Sequence, residues 1–280
     1  MIHPAIAIAS VLALLLLLML GLTAAQSRNA MHPELARKGL HLVMGSVALG
    51  FPWLFNEPEP VWLLAALATL TLLASRYTRL VRERVGGAIH CVKRHSYGDL
   101  CFPFSIALLF QLAGDDFLLY ILPMFILTVG DSLAALVGMF HGRIRYRCPD
   151  GKKTVEGSLS LFAVAFNSIL IPLAWYADMN LALALFVALN TAVLVTLVEA
   201  VAWRGLDNFL IPISAFFLLR HFLQQDTLLL LAYFMTLICV AAILVYVYLL
   251  PRVRVYLSKF NHFAVVTLML GTTNFLVIGG

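Results

Sequence analysis

Two acids stand inside long apolar stretches where a charge is costly: Asp131 in TVGDSLAALVG and Glu199 in LVTLVEAVAW. An Asp at the centre of a membrane span costs roughly 2.5–3.5 kcal/mol. Each acid is therefore expected either to neutralise a cation within a helix bundle or to do chemistry. The residues around Asp131, namely Gly130, Ser132, Ala134, Ala135 and Gly138, are small, which lets a neighbouring backbone or a ligand come close. Asp131 and Gly138 are seven apart and share one helix face.

About ten residues beyond Asp131 the chain turns cationic. His141-Gly142-Arg143-Ile144-Arg145-Tyr146-Arg147 leads through a Cys148-Pro149-Asp150-Gly151 turn into Lys152-Lys153-Thr154-Val155-Glu156-Gly157-Ser158. Five cations in so short a loop can hold several phosphate charges. The next apolar run begins near Ser158, so the free N–H groups of a helix start point into the loop and favour an anion. Gly142, Gly151 and Gly157 permit close backbone approach to phosphate oxygens. The Walker pattern G-x-x-x-x-G-K-[ST] is absent. An acid able to hold Mg²⁺, followed by cations able to hold phosphate, is the equipment of phosphoryl transfer.

The elements that must position these groups follow from composition. Of 280 residues, 62% are hydrophobic and 12% charged, about half the charged share of a soluble domain. A soluble globule, a disordered chain and a disulfide scaffold are excluded. Uninterrupted runs such as VLALLLLLML at 11–20 do not alternate as outer-membrane strands do. The class is an all-α polytopic membrane bundle of about eight to ten transmembrane helices. Candidate spans cover 4–25, 39–55, 60–75, 100–114, 117–140, 158–177, 181–203, 209–225, 227–250 and 262–280, the fourth and eighth being the weakest. Residues 1–260 read as one membrane-embedded domain, and 261–280 as a terminal apolar segment that begins a second domain of a longer chain.

Charge tests this count, since cytoplasmic loops collect Lys and Arg. On alternate loops lie all of the 19 Lys and Arg residues except Arg220, while the opposite loops carry Glu57, Glu59, Asp115, Asp116, Asp178 and Asp226. A bacterial inner-membrane protein with both termini outward and its chemistry on the cytoplasmic face is expected. The net charge of +5 describes that face and implies no nucleic-acid partner. The four cysteines show no C-x-x-C spacing, and His90, Cys91 and His95 lack the pair spacing of a zinc site.

With these residues in view, the chain resembles the CTP-dependent polyprenol and lipid-alcohol kinases, the family of dolichol, phytol and farnesol kinases. Four elements carry the likeness, in family order over about residues 34–212. Glu34, Arg37, Lys38 and His41 match an E-x-x-R-K-x-x-H opening, and Tyr97-Gly98-Asp99 with Pro103 match a mid-chain Y-G element. Gly130-Asp131, Gly138, Gly142 and Lys152-Lys153-Thr154-x-Glu156-Gly157-Ser158 match the nucleotide-binding segment, and Glu199 with Asp207-Asn208 and Pro212 match the closing element. The resemblance implies that Arg37, Lys38, Asp131 and Gly138 are needed for activity. Arg143 and Arg145 stand where many members have Lys.

The expected reaction moves the γ-phosphate of CTP to the hydroxyl of a membrane-dissolved isoprenoid alcohol such as phytol, farnesol, geranylgeraniol or a dolichol. Asp131, helped by Glu156 or Glu199, would hold Mg²⁺. Lys152, Lys153, Arg37 and Lys38 would grip phosphates, and the Gly138 and Gly142 regions would admit the nucleotide, with Arg143, Thr154, Gly157, Ser158 and Asn208 beside it. Asp131, Glu199, Asp207 and His41 can each serve as general base. Two other readings compete. Cytidylyl transfer to phosphatidic acid would need a G-H-G-G...D-R-x-D cluster, which is absent. A non-enzymatic transporter for an anionic lipid would show internal repeats, and the surroundings of the Gly-Asp pairs at 98 and 130 are dissimilar. Neither the alcohol nor the oligomeric state follows from the sequence.

Overall fold

The computed structural model describes residues 4–28, 33–77, 97–148, 151–177 and 179–249. The expected tenth span at 262–280 and the His90, Cys91 and His95 stretch lie outside the described residues. The chain is a helical membrane bundle. Its elements are α1 (Pro4–Arg28), α2 (Pro33–Leu49), a short α3 (Phe51–Leu54), α4 (Pro58–Tyr77) and α5 (Gly98–Ala113). Next come α6 (Phe117–His141), strands β1 (Arg145–Cys148) and β2 (Gly151–Thr154), α7 (Val155–Trp175), α8 (Leu181–Val201), α9 (Asp207–Phe222) and α10 (Thr227–Leu249).

Local chemistry sets many of the ends. α1, α2 and α4 each begin on a proline, whose fixed φ and missing N–H suit the first helical position. Asp116, Asn180 and Asp226 cap α6, α8 and α10 by accepting from Leu119, Ala182 and Leu229 N–H, and Thr154 caps α7 by accepting from Gly157 N–H. Such caps satisfy donors that would otherwise be orphaned.

Among the described residues, α6, α7 and α8 are long and apolar enough to cross a membrane by themselves, and shorter apolar stretches lie in α1, α4, α5 and α10. α7 packs along α8, α4 along α5, and α9 against α5, α8 and the first half of α6. Leu127, Leu161, Ile169, Val187, Val195 and Phe216 are wholly buried in the shared core. The two spans expected to be weakest are the helices α5 and α9, of 16 residues each.

Three features depart from the expected pattern. The second span starts earlier, at Pro33, so Arg37 and Lys38 sit on the helix and not in a loop before it. On that helix Lys38 is buried against Asp131. α6 is not uniformly α-helical, because residues Ile126–Gly130 form a π turn in which Asp131 N–H donates to the Ile126 carbonyl five residues back. Finally, the cationic loop folds as an antiparallel hairpin, with Arg145 opposite Thr154, Tyr146 opposite Lys153 and Arg147 opposite Lys152.

Candidate active site

α2 runs antiparallel along α6 and makes the first half of the site. Lys38 Nζ donates to Asp131 Oδ2 at 2.5 Å, with both side chains about 95% buried. One turn further, His41 Nε2–H donates to the Leu127 carbonyl at 3.3 Å and lies 3.7 Å from Asp131 Oδ2. Leu127 belongs to the π turn, a device that takes carbonyls off the regular i−4 ladder and often marks functional positions. With its proton on Nε2, a neutral His41 ring can accept only at Nδ1. Phe102 holds the ring from the side, with centroids 4.6 Å apart. Gly45 admits Thr128 where any Cβ would collide with it. Further along, Tyr120 O–H donates to the Ala48 carbonyl at 2.8 Å, which Pro52, lacking an N–H, cannot serve. These contacts lock α2 against α6 and set the height of Lys38 relative to Asp131.

The hairpin and the end of α8 make the second half. Successive strand residues face opposite ways, so the adjacent lysines separate. Lys153 turns inward and donates to Glu199 Oε1 at 2.6 Å and to the Glu199 carbonyl, while Lys152 is exposed. Tyr146, the cross-strand neighbour of Lys153, shares a 2.7 Å hydrogen bond with Ser158. Burial works against the Lys153 ammonium, but the Glu199 carboxylate outweighs it and raises the lysine above its ordinary value. Burial likewise pushes the Tyr146 phenol up, against the pull of Ser158.

The halves meet at α9. Asp207 lies in the electrostatic reach of Asp131, Lys38, Lys153 and Arg37, and Glu199 in that of Asp131 and Asp207. Arg37 also acts on Asp131. The first residues of α9 are fixed by the start of α5: Asn208 Nδ2 donates to the Gly98 carbonyl at 2.8 Å and Tyr97 N–H donates to the Arg204 carbonyl at 2.8 Å. A Cβ at Gly98 would meet Asn208 Nδ2 at 2.9 Å and Gly205 Cα at 3.1 Å. Three of the four sequence elements thus supply two ion pairs, Lys38–Asp131 and Lys153–Glu199, with Arg37 and Asp207 in their electrostatic reach, and the fourth, at Gly98, fixes the start of α9.

Other candidates sit apart from it. The Glu156 carboxylate accepts from Ile144 N–H at 3.1 and 3.3 Å, at the base of the hairpin, and its charged neighbour is Arg143. Arg143 is exposed. The space that the small residues leave is taken by the protein itself. A Cβ at Gly138 would meet Thr154 Oγ1 at 2.8 Å, one at Gly142 would run into Thr154 and the Gly138 carbonyl, and one at Gly157 would meet the Ala134 carbonyl at 2.7 Å. These glycines join α6 to α7 and so fix the base of the hairpin against α6. Tyr146 was not legible as a site residue. The signal that could have found it is the Pro149-Asp150-Gly151 turn between short segments, which is compatible with a hairpin placing Tyr146 beside Lys153.

Asp131 and Glu199 are carboxylates of the kind that could take part in holding Mg²⁺. The ion is commonly held by one or two carboxylates together with substrate phosphates and water. Glu199 Oε2 is buried and meets no hydrogen-bond donor among the described residues, within electrostatic reach of Asp131 and Asp207. Among the described residues no group of three or more His, Cys, Asp or Glu could hold a metal ion by itself.

The chain is 30% identical over 188 residues to a phytol kinase of Synechocystis sp., a match that covers 65% of this chain and 76% of that protein. It belongs to the lipid-alcohol kinase family. No family model matches the chain, and no solved structure does. For a lipid-alcohol kinase the layout has a clear logic. Phosphoryl transfer relies on positioning and charge neutralisation more than on covalent chemistry, and this kinase gathers opposed charges from α2, α6, α8, α9 and the hairpin at one place.

Proposed function

We propose that the protein transfers the γ-phosphate of CTP to the hydroxyl of a membrane-dissolved isoprenoid alcohol, on the cytoplasmic side of a bacterial inner membrane. The observation that carries this reading is the pairing of Lys38 with buried Asp131 and of Lys153 with buried Glu199, with Arg37 and Asp207 in electrostatic reach. The relative's name, phytol kinase, supports an isoprenoid alcohol as acceptor, and the sequence resemblance supports CTP as donor.

The cations lie on the acids, Lys38 on Asp131 and Lys153 on Glu199. A triphosphate offers both lysines a new anionic partner, and Arg37 stands close enough to share the charge. Asp131 and Glu199, thus released, are the residues that would hold Mg²⁺, with Asp207 in reach; Glu156, turned to the Ile144 N–H, is a poorer candidate. Bound there, the ion would neutralise charge on the β- and γ-phosphates. The acceptor proton goes to a carboxylate of the cluster or to His41 Nδ1. Tyr146 and Ser158 hold the inner face of the hairpin, and the Gly138, Gly142 and Gly157 contacts fix its base against α6.

The test is a matrix of phytol, farnesol, geranylgeraniol, a long polyprenol and diacylglycerol against CTP, ATP, GTP and UTP, with radiolabelled γ-phosphate and with or without Mg²⁺. Label should pass to an isoprenoid alcohol from CTP in preference to the others, and only with the metal. Labelled diacylglycerol alone, or release of pyrophosphate with a CDP-lipid, would refute the reading.

A further inference from the structure

A lipid alcohol must present its hydroxyl at the charged cluster while its tail stays in the apolar phase, and a groove among the described residues is placed to meet both demands. It lies between α1 and α2, has a volume of about 540 Å³, and is lined by Ser10, Leu14, Leu42, Ser46, Val47 and Gly50 among others. Leu42 is one residue beyond His41 and one turn beyond Lys38 on the same helix, so one end of the groove lies within a turn of the cluster along α2. Its serines do not make it polar: Ser10 Oγ donates to the Ile6 carbonyl and Ser46 Oγ to the Leu42 carbonyl, both at 2.8 Å. With those hydroxyls satisfied inside their own helices, the groove has no polar feature with which to recognise a headgroup. Leu14 and Leu42, 45% and 39% exposed, form its open edges toward the lipid.

We propose that this α1–α2 groove receives the first isoprene units of the acceptor alcohol and so aims the hydroxyl at the Lys38, His41 and Asp131 cluster. The inference rests on the kinase reading above and adds the place of the tail. Lipid chains are as apolar as the groove, so entering it brings no hydrophobic gain. What it contributes is orientation, which alone can be worth a hundredfold when a reacting group is misplaced by about 1 Å. Leu42 to Gly50 measures about 12 Å of helix, less than half the ~30 Å hydrocarbon thickness. Units beyond the first few therefore run out into the bilayer and are not read. Rates should climb from prenol to farnesol, then level off toward geranylgeraniol and longer polyprenols.

Ser46→Trp on α2 and Leu14→Trp on α1 fill the groove from opposite walls. Each should lower kcat/KM for farnesol by about tenfold or more, with a clearly smaller loss for prenol, whose single unit stays at the Leu42 end, and with KM for CTP unchanged as the control for an intact fold. Equal losses for prenol and farnesol, or no loss for either, would overturn the groove. If the wild-type protein phosphorylates no alcohol, the kinase reading itself fails, and a farnesyl probe bearing a diazirine then decides the groove on its own. Crosslinks concentrated in 10–18 and 42–50 support it, whereas crosslinks spread over the outward faces of all helices, as bulk lipid would give, overturn it.

Discussion

Asp131→Asn separates a catalytic acid from a structural one, provided the stranded partner is dealt with. In the wild-type protein Lys38 and Asp131 are 4% and 5% exposed at the side chain and 2.5 Å apart. Removing one member of a buried pair leaves the other charge uncompensated, at about 3–5 kcal/mol. Asn keeps an oxygen for Lys38 Nζ, so the lower end, about 3 kcal/mol, is expected. Arg37 acts on the same spot and adds repulsion. That is a large part of a typical stability of about 5–15 kcal/mol, and a loss of activity in the single variant would be ambiguous. Lys38→Met in the same chain removes the stranded ammonium and fills its volume with an apolar side chain. The Asp131→Asn/Lys38→Met double variant should therefore recover most of the lost thermal stability in detergent, measured by intrinsic fluorescence, yet remain below about one hundredth of wild-type kinase activity. If the double variant regains more than a tenth of wild-type turnover, the pair is architectural and the phosphoryl-transfer assignment of Asp131 and Lys38 fails.

The remaining predictions concern the hairpin and the glycine contacts. Lys153→Ala should cut kcat/KM for the nucleotide by well over tenfold and Lys152→Ala by far less, because only the inward lysine reaches Glu199; equal effects in initial-rate assays would mean that the strand faces are wrongly assigned. Gly138→Val and Gly157→Ala should each destabilise by about 1–3 kcal/mol through overpacking, with Gly157→Ala the less relievable since it meets the backbone carbonyl of Ala134; thermal melts equal to wild type would refute the close α6–α7 contact. Lys153 has a pKa raised above 10.5 by Glu199, so the pair's stabilisation is full below the unfolded-state value and is lost only as pH rises through the higher folded value. Melts from pH 7 to 10 should show no decline that Lys153→Met removes, and a Lys153-dependent decline below pH 9 would contradict the raised value.

The sequence by itself determined the class and the cast. Long apolar runs can be satisfied only by helices in a bilayer, so the all-α architecture followed from composition, and Asp131 and Glu199 drew notice because charge in such runs is costly. The four motif elements, from Arg37 and Lys38 to Asp207 and Asn208, were likewise legible as residue types at fixed spacing. What sequence could not show is which charges pair, since pairing depends on helix register in three dimensions. Lys38 finds Asp131 across 93 residues and Lys153 finds Glu199 across 46, and neither distance has a local signature. The π turn that presents the Leu127 carbonyl to His41 is invisible to a hydropathy pattern. The two neighbouring lysines looked equivalent until the strand pairing sent one inward and the other out. Small residues near Asp131 signalled close approach, and tertiary packing brings the start of the next helix against Gly138.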